Sequence, residues 1–129
     1  MTIEPTFTIG NVPIFGDLIL APMDGITDQP FRGLCRKLGS AMSITEFINA
    51  LDVLQEHPRY HHRLEFTPPQ RPLSLQMLGD QPTQILEAAL RLVPQVQPDI
   101  IDINIGCQSK NVTSRGAGAA LMRSPETIA

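Results

Sequence analysis

Leu73-Ser74-Leu75-Gln76-Met77, followed by Asp80-Gln81-Pro82 and later by Ile100-Ile101-Asp102-Ile103, decides the fold class of this chain. The two apolar runs read as strands. Between them Ile85, Ala89, Leu92 and Val96 line up at helical spacing, with Pro82 near the start and Pro98 beyond the end. Pro94 marks where the regular part of this helix is expected to stop. Strand, helix and strand in this order make a parallel pair with a crossover helix.

Working outward, the same alternation recurs. Leu18-Ile19-Leu20-Ala21 and Met42-Ser43-Ile44-Thr45 read as two earlier strands. Thr27 or Asp28 caps a helix with Pro30 in its first turn, and Gly39 stops it. Its apolar residues Phe31, Leu34, Cys35 and Leu38 share one face. A second helix is expected over Ile48 to Gln55, ending before Pro58. The strand starts at 18, 42, 73 and 100 are separated by 24, 31 and 27 residues. A (β/α)₈ barrel of about 250 residues uses about 31 per unit, so the spacing suits a barrel. A doubly wound sheet tolerates it equally, and periodicity alone leaves both.

Ahead of these units, Phe7-Thr8-Ile9 and Val12-Pro13-Ile14-Phe15 flank Gly10-Asn11 as a small hairpin, placed to plug the N-terminal end of a barrel. At the other end, Ser124-Pro125-Glu126 opens a helix, and Ala129 follows one turn later. Four parallel strands with one open edge predict a single partial domain over residues 1–129, truncated at its C-terminal end.

Composition narrows the function classes. A hydrophobic fraction of 42% against 18% charged residues fits a globular chain and excludes a disordered one. Met1-Thr2-Ile3-Glu4-Pro5 lacks the basic and apolar regions of a leader, and no apolar run approaches the ~18 residues of a membrane span. Cys35 and Cys107 read as free thiols, which with the missing leader predicts a cytoplasmic protein. A net charge of −3 does not mark a nucleic-acid binder. Basic residues gather at Arg59 to Arg63 and at Lys110, Arg115 and Arg123, where by themselves they read as solvated surface. His57, His61 and His62 sit in a polar, Pro-flanked stretch without metal-ligand spacing, so no metal is expected.

The richest stretch follows the fourth strand: Asp102-Ile103-Asn104-Ile105-Gly106-Cys107-Gln108-Ser109-Lys110-Asn111. Loops at the C-terminal ends of parallel strands build active sites. An unperturbed thiol, with a pKa of about 8.5, is protonated near neutrality and able to donate. A nearby lysine would instead favour the thiolate, and a buried small apolar side chain is the commonest fate of a free cysteine. Ala21-Pro22-Met23-Asp24-Gly25 at the end of the first strand suits a flat ring lying against the backbone, or a plain βα turn. Gln76 puts an amide among apolar neighbours, where a ring edge or the adjacent strand would satisfy it. Glu46 ends the second strand, placed to orient substrate or to order the loop. Arg115-Gly116-Ala117-Gly118-Ala119-Ala120 lacks the third glycine of a dinucleotide loop and lies well beyond the strand end.

Taken together, these motifs resemble the tRNA-dihydrouridine synthases. The resemblance rests on Leu20-Ala21-Pro22-Met23-Asp24-Gly25-Ile26-Thr27-Asp28 with Pro30-Phe31-Arg32, on Ile44-Thr45-Glu46-Phe47, and on Leu75-Gln76-Met77-Leu78-Gly79. Asp102 to Cys107 is similar to the most characteristic motif of that family, and Gly116 to Arg123 with Pro125-Glu126 to the segment after it. The order holds from about residue 9 to the end. The resemblance implies a (β/α)₈ TIM-type barrel, here about its first four βα units, with FMN at the C-terminal mouth and NADPH as reductant. It implies an oxidoreductase that reduces the 5,6 double bond of a uridine in tRNA. By motif match Cys107 is the proton donor, Pro22, Met23, Asp24 and Gln76 contact the flavin, and Asn104 lies near flavin and uracil. Two departures stand out. Gln108 follows the cysteine where many family members have proline, and the later strands that carry the flavin phosphate site lie beyond these residues. The 129-residue chain alone is therefore expected to be inactive. Two rivals remain, an FMN barrel acting on a free pyrimidine, and a half-barrel remnant that self-associates through its open edge.

Overall fold

The N-terminal hairpin forms as expected from its turn, in a computed structural model that describes residues 4–129. Residues 1–3, the head of the stretch read as lacking a leader, lie outside the described residues. Strands β1 (Phe7–Ile9) and β2 (Val12–Ile14) pair antiparallel, and Ile14 packs with Ala41 and Met42 against Ile44 and Ile100. Those residues lie at the beginnings of the parallel strands, so the hairpin covers the N-terminal end of the sheet.

The main sheet is parallel. Its centre is β5 (Leu73–Leu78), with all six residues buried, flanked on one side by β6 (Ile100–Ile103). On the other side lie two short strands, β3 (Ser43–Ile44) and β4 (Ile48–Asn49), both parallel to β5. Between Ser43 and Ile48 the chain advances five residues while β5 advances four, from Leu73 to Met77. One extra residue is therefore looped out, as in a bulge. Thr45 bridges the gap, its Oγ1 accepting from Gln76 N at 3.0 Å.

Two helices cover one face. Leu73, Leu75 and Met77 pack with Val53 of α2 (Ala50–Leu54) and with Ala88, Leu92 and Val96 of α3 (Pro82–Val96). Leu78 packs elsewhere, with Val112 and Ala117 from the segment after β6. That segment contains α4 (Lys110–Thr113), a 3₁₀ turn (Gly118–Arg123) and α5 (Pro125–Ile128).

Four expectations need correction. Leu18 to Ala21 forms no ladder, because Leu20 N donates to the Ser40 hydroxyl (3.1 Å) and Leu18 O accepts from Ala41 N (2.7 Å). A side chain has taken one place that a strand partner would occupy. Ile48 and Asn49 extend the sheet instead of opening a helix, and the Asn49 side chain caps α2 by accepting from Leu51 N at 3.0 Å. Helix α3 runs through Pro94 to Val96 and stops only at Gln97, in the left-handed conformation at φ 50°. On helix α1 (Gln29–Lys37), capped by Asp28 as read, Leu34 and Leu38 are 53% and 77% exposed while Arg32 is 1% exposed. The charged residue faces inward because two backbone carbonyls, those of Thr27 and Glu65, accept from its guanidinium.

Candidate active site

The turn after residues 18–21 is held by four side chains, those of Glu46, Thr27, Arg32 and Arg63. Gly25 adopts φ +76°, a left-handed conformation that a side chain would strain, and its N–H donates to Glu46 Oε1 at 2.5 Å. Thr27 is fully buried, and its hydroxyl accepts from Met23 N (2.9 Å) and donates to Met23 O (3.2 Å). Arg32 donates from Nη1 to Thr27 O (2.7 Å) and from Nη2 to Glu65 O (2.6 Å), while its Nε has no partner among the described residues. Burial pushes this guanidinium down from its ordinary value, and the nearby Glu46 and Asp28 carboxylates push it back up. At the outer side Arg63 pairs with Asp24 (2.6 Å), donates to Phe47 O (2.5 Å) and lies 5.1 Å over the Phe47 ring. The residues between β3 and β4 thus supply Glu46 to the turn and Phe47 to its neighbour.

A second network organises the loop after β6. The register sets Gln76 beside Asp102, and Gln76 Nε2 donates to Asp102 Oδ2 at 2.7 Å. Gln76 Oε1 accepts from Asn104 Nδ2 at 3.0 Å, so the adjacent strand satisfies the buried amide. Asn104 Oδ1 in turn accepts from Gly106 N (3.1 Å) and Cys107 N (2.9 Å), folding the loop back on the strand end. Behind it, Ala119 N donates to Cys107 O at 2.9 Å. A Cβ on Gly118 would meet Cys107 O at 2.6 Å and Val112 Cγ1 at 2.8 Å. The Gly-Ala-Gly run is therefore a close-packed back wall for the cysteine loop.

These two networks face each other across a cleft of ≈ 440 Å³, bordered by Pro22, Asp24, Phe47, Gln76, Asn104 and Cys107. It lies at the C-terminal ends of the parallel strands, where α/β folds bind ligands. An adjoining cleft of ≈ 350 Å³ shares Asp24, Phe47 and Cys107 and adds Asn49, Arg59, Arg63 and Arg115. Cys107 stands at the boundary of both, half-buried and free, with its inner side against the cluster of Leu78, Val112 and Ala117. Five of the six residues singled out from the sequence thus share one cleft. Met23 does not border it; its backbone is fastened to Thr27 instead.

The family model described as dihydrouridine synthase matches residues 19–129, the part of the chain that contains both networks. The chain belongs to the dihydrouridine synthase family. Among curated relatives it is 40% identical over 121 residues to tRNA-dihydrouridine synthase B of Pseudomonas aeruginosa. It is 39% identical to the protein of the same name from Xanthomonas axonopodis pv. citri and 38% identical to that from Vibrio cholerae. These matches cover 93–94% of this chain and 36–37% of the relatives' lengths, so the chain spans just over a third of the synthases it resembles.

Sequence reasoning passed over three residues that hold the walls of this cleft. Arg32 stood inside a motif without a role, Thr27 was a candidate cap, and Arg63 was read as solvated. The signal for Arg32 was an arginine one residue from an apolar stripe. Those for Thr27 and Arg63 arise only once Met23 and Asp24 are brought near them.

Proposed function

We propose that residues 1–129 form the uridine-facing part of a flavin-dependent tRNA-dihydrouridine synthase, a partial (β/α)₈ barrel in which Cys107 is the proton donor. The observation that carries this reading is the meeting of Cys107 with Pro22, Asp24, Gln76 and Asn104 around one cleft at the strand ends. FMN held at this cleft and reduced by NADPH would supply the hydride for carbon 6 of the uracil.

The residues present fit the ring of such a group and not its phosphate. The cleft has a volume within the range of small-molecule sites, ≈ 440 Å³, and its border contains no lysine or arginine. Pro22, Asp24 and Gln76 would hold the ring, and the backbone of Met23, fastened to Thr27, fixes the turn that carries Pro22 and Asp24. Gln76 keeps its orientation through Asp102 and Asn104, so its amide needs no rearrangement when a ring arrives. Asn104 sets the position of the thiol through the two N–H groups that it accepts from.

Cys107 then delivers a proton to carbon 5 of the uracil, and solvent restores the thiol. Only a base taken out of the stack exposes both faces, and the clefts adjoining Cys107 provide room for one. A positioned acid contributes roughly 10²–10⁴ in rate. The test is a gene product containing residues 1–129, assayed with NADPH and unmodified tRNA by mass spectrometry of nucleosides. A gain of two mass units in uridine supports the reading. Reduction of free uracil or turnover of dihydroorotate, with tRNA untouched, would replace it with an FMN barrel acting on a free pyrimidine.

A further inference from the structure

The carboxylates of this chain are unevenly placed. Asp102 is followed by no aspartate or glutamate until Glu126, and the intervening stretch carries Lys110, Arg115 and Arg123. The remainder holds seven of the 10 cations against all 13 carboxylates. An acidic protein thus has an acid-free basic segment, and that segment is the one that follows Cys107. Composition alone hides this, because the two parts cancel in the net charge.

The fold keeps these cations available. Arg59, Arg63, Arg71 and Arg91 are paired with Asp52, Asp24, Asp99 and Glu87. Among the described residues no such ion pair involves Lys110, Arg115 or Arg123. Lys110 and Arg123, thirteen positions apart, are brought to one cleft of ≈ 390 Å³ together with Gln108, Thr113 and Ser114. Close packing at Gly118 against Cys107 O and Val112 draws the two ends of the segment together. The border of this cleft combines two cations with amide and hydroxyl donors and has no carboxylate, which is the chemistry of a phosphodiester site.

We infer that this cleft grips a backbone phosphate of the RNA next to the uridine presented to Cys107. The inference rests on the tRNA reading above and adds the residues that hold the strand. Phosphate contacts fix register without reading sequence, so the cleft positions the nucleotide. Gln108 borders the cleft directly after Cys107, so an occupied phosphate site is coupled to the loop that carries the thiol.

The test uses the natural gene product that contains these residues. Its tRNA affinity is measured from about 50 to about 200 mM salt for wild type and for Lys110→Ala with Arg123→Ala. The double variant is expected to bind roughly tenfold more weakly, with a slope of log affinity against log salt smaller by about 1 to 2. Lys37→Ala, removing a cation from the far end of α1, leaves the slope unchanged, and Lys110→Arg restores most of it. An unchanged slope in the double variant overturns the inference. So does a raised KM for NADPH with tRNA affinity intact, which assigns the cleft to the dinucleotide's phosphate. Should the double variant misfold, by circular dichroism, the single changes Lys110→Gln and Arg123→Gln carry the same comparison. Dihydrouridine formation by wild type is scored separately. Its absence counts against the proposed activity, whereas the salt slope reports on the cleft in either case.

Discussion

At the residue scale, Asn104 accepts from Gly106 N and Cys107 N and so fixes the loop of the thiol that is the proton donor in the proposed reaction. Cys107→Ala in the natural gene product is expected to leave flavin content unchanged and to lower tRNA reduction by roughly 10²–10⁴. Turnover equal to wild type would remove the thiol from the mechanism. Asn104→Ala removes the acceptor for Gly106 N and Cys107 N and the donor to Gln76. Its kcat should fall by one to two powers of ten while flavin reduction by NADPH persists, and Asn104→Asp, which keeps the acceptor, should recover part of the loss. Gly118 works by having no side chain. Its φ of +59° and the 2.6 Å approach to Cys107 O mean that Gly118→Ala must displace the cysteine loop. A cost of about 1–3 kcal/mol in unfolding free energy is expected, read from a denaturant titration.

At the scale of elements, helix α1 is positioned by polar contacts and not by its apolar row. Arg32 bridges the carbonyls of Thr27 and Glu65, tying the turn before the helix to the segment after the α2 region. Arg32→Ala should destabilise the fold by about 2–4 kcal/mol, since two carbonyls lose a charged donor. Arg32→Lys should not rescue it, because a single ammonium cannot reach both carbonyls as a planar fork does. A thermal melt of the two variants decides between this and a merely packing role, in which lysine would suffice. The interrupted strand β3–β4 is the second element-scale device. Its extra residue sends Glu46 to Gly25 and Phe47 to the cleft, and β4 then resumes pairing at Met77. The motif Ile44-Thr45-Glu46-Phe47 is legible as a strand end, but its bulge is not, since only the partner's register reveals it.

For the whole molecule, the open faces decide behaviour. Among the described residues strand β6 pairs only with β5, and Leu86, Ile103 and Ile128, which border one cleft with Ile101, are 61%, 39% and 45% exposed. An unpaired edge with apolar neighbours is a template for association. The 129-residue polypeptide expressed by itself is expected to form dimers or larger species in light scattering. Ile101→Lys with Ile103→Lys should shift it toward monomer, and a wild-type monomer at micromolar concentration would argue against the edge as the contact. The same polypeptide is expected to lose added FMN on gel filtration, because among the described residues no cation borders the cleft between Pro22 and Cys107 to hold a phosphate. A yellow, stoichiometric complex that reduces tRNA would refute this.

The alternation of short apolar runs with helical patterns determined the parallel α/β class, because side-chain period is a local property of a strand or helix. The motifs around Gln76 and Cys107 likewise fell on a strand and just after one, whereas the Pro22 motif follows a segment that forms no strand. Tertiary structure alone decided that residues 18–21 stay unpaired, that Arg32 faces inward while Leu38 faces out, and that Asn104 folds the cysteine loop. Each of those outcomes turns on a hydrogen-bond partner far away in sequence or on a change of register, and a one-dimensional pattern contains neither. The physical reason is the same throughout: burial follows which polar groups find partners in space, and hydrophobicity along the chain does not specify the partners.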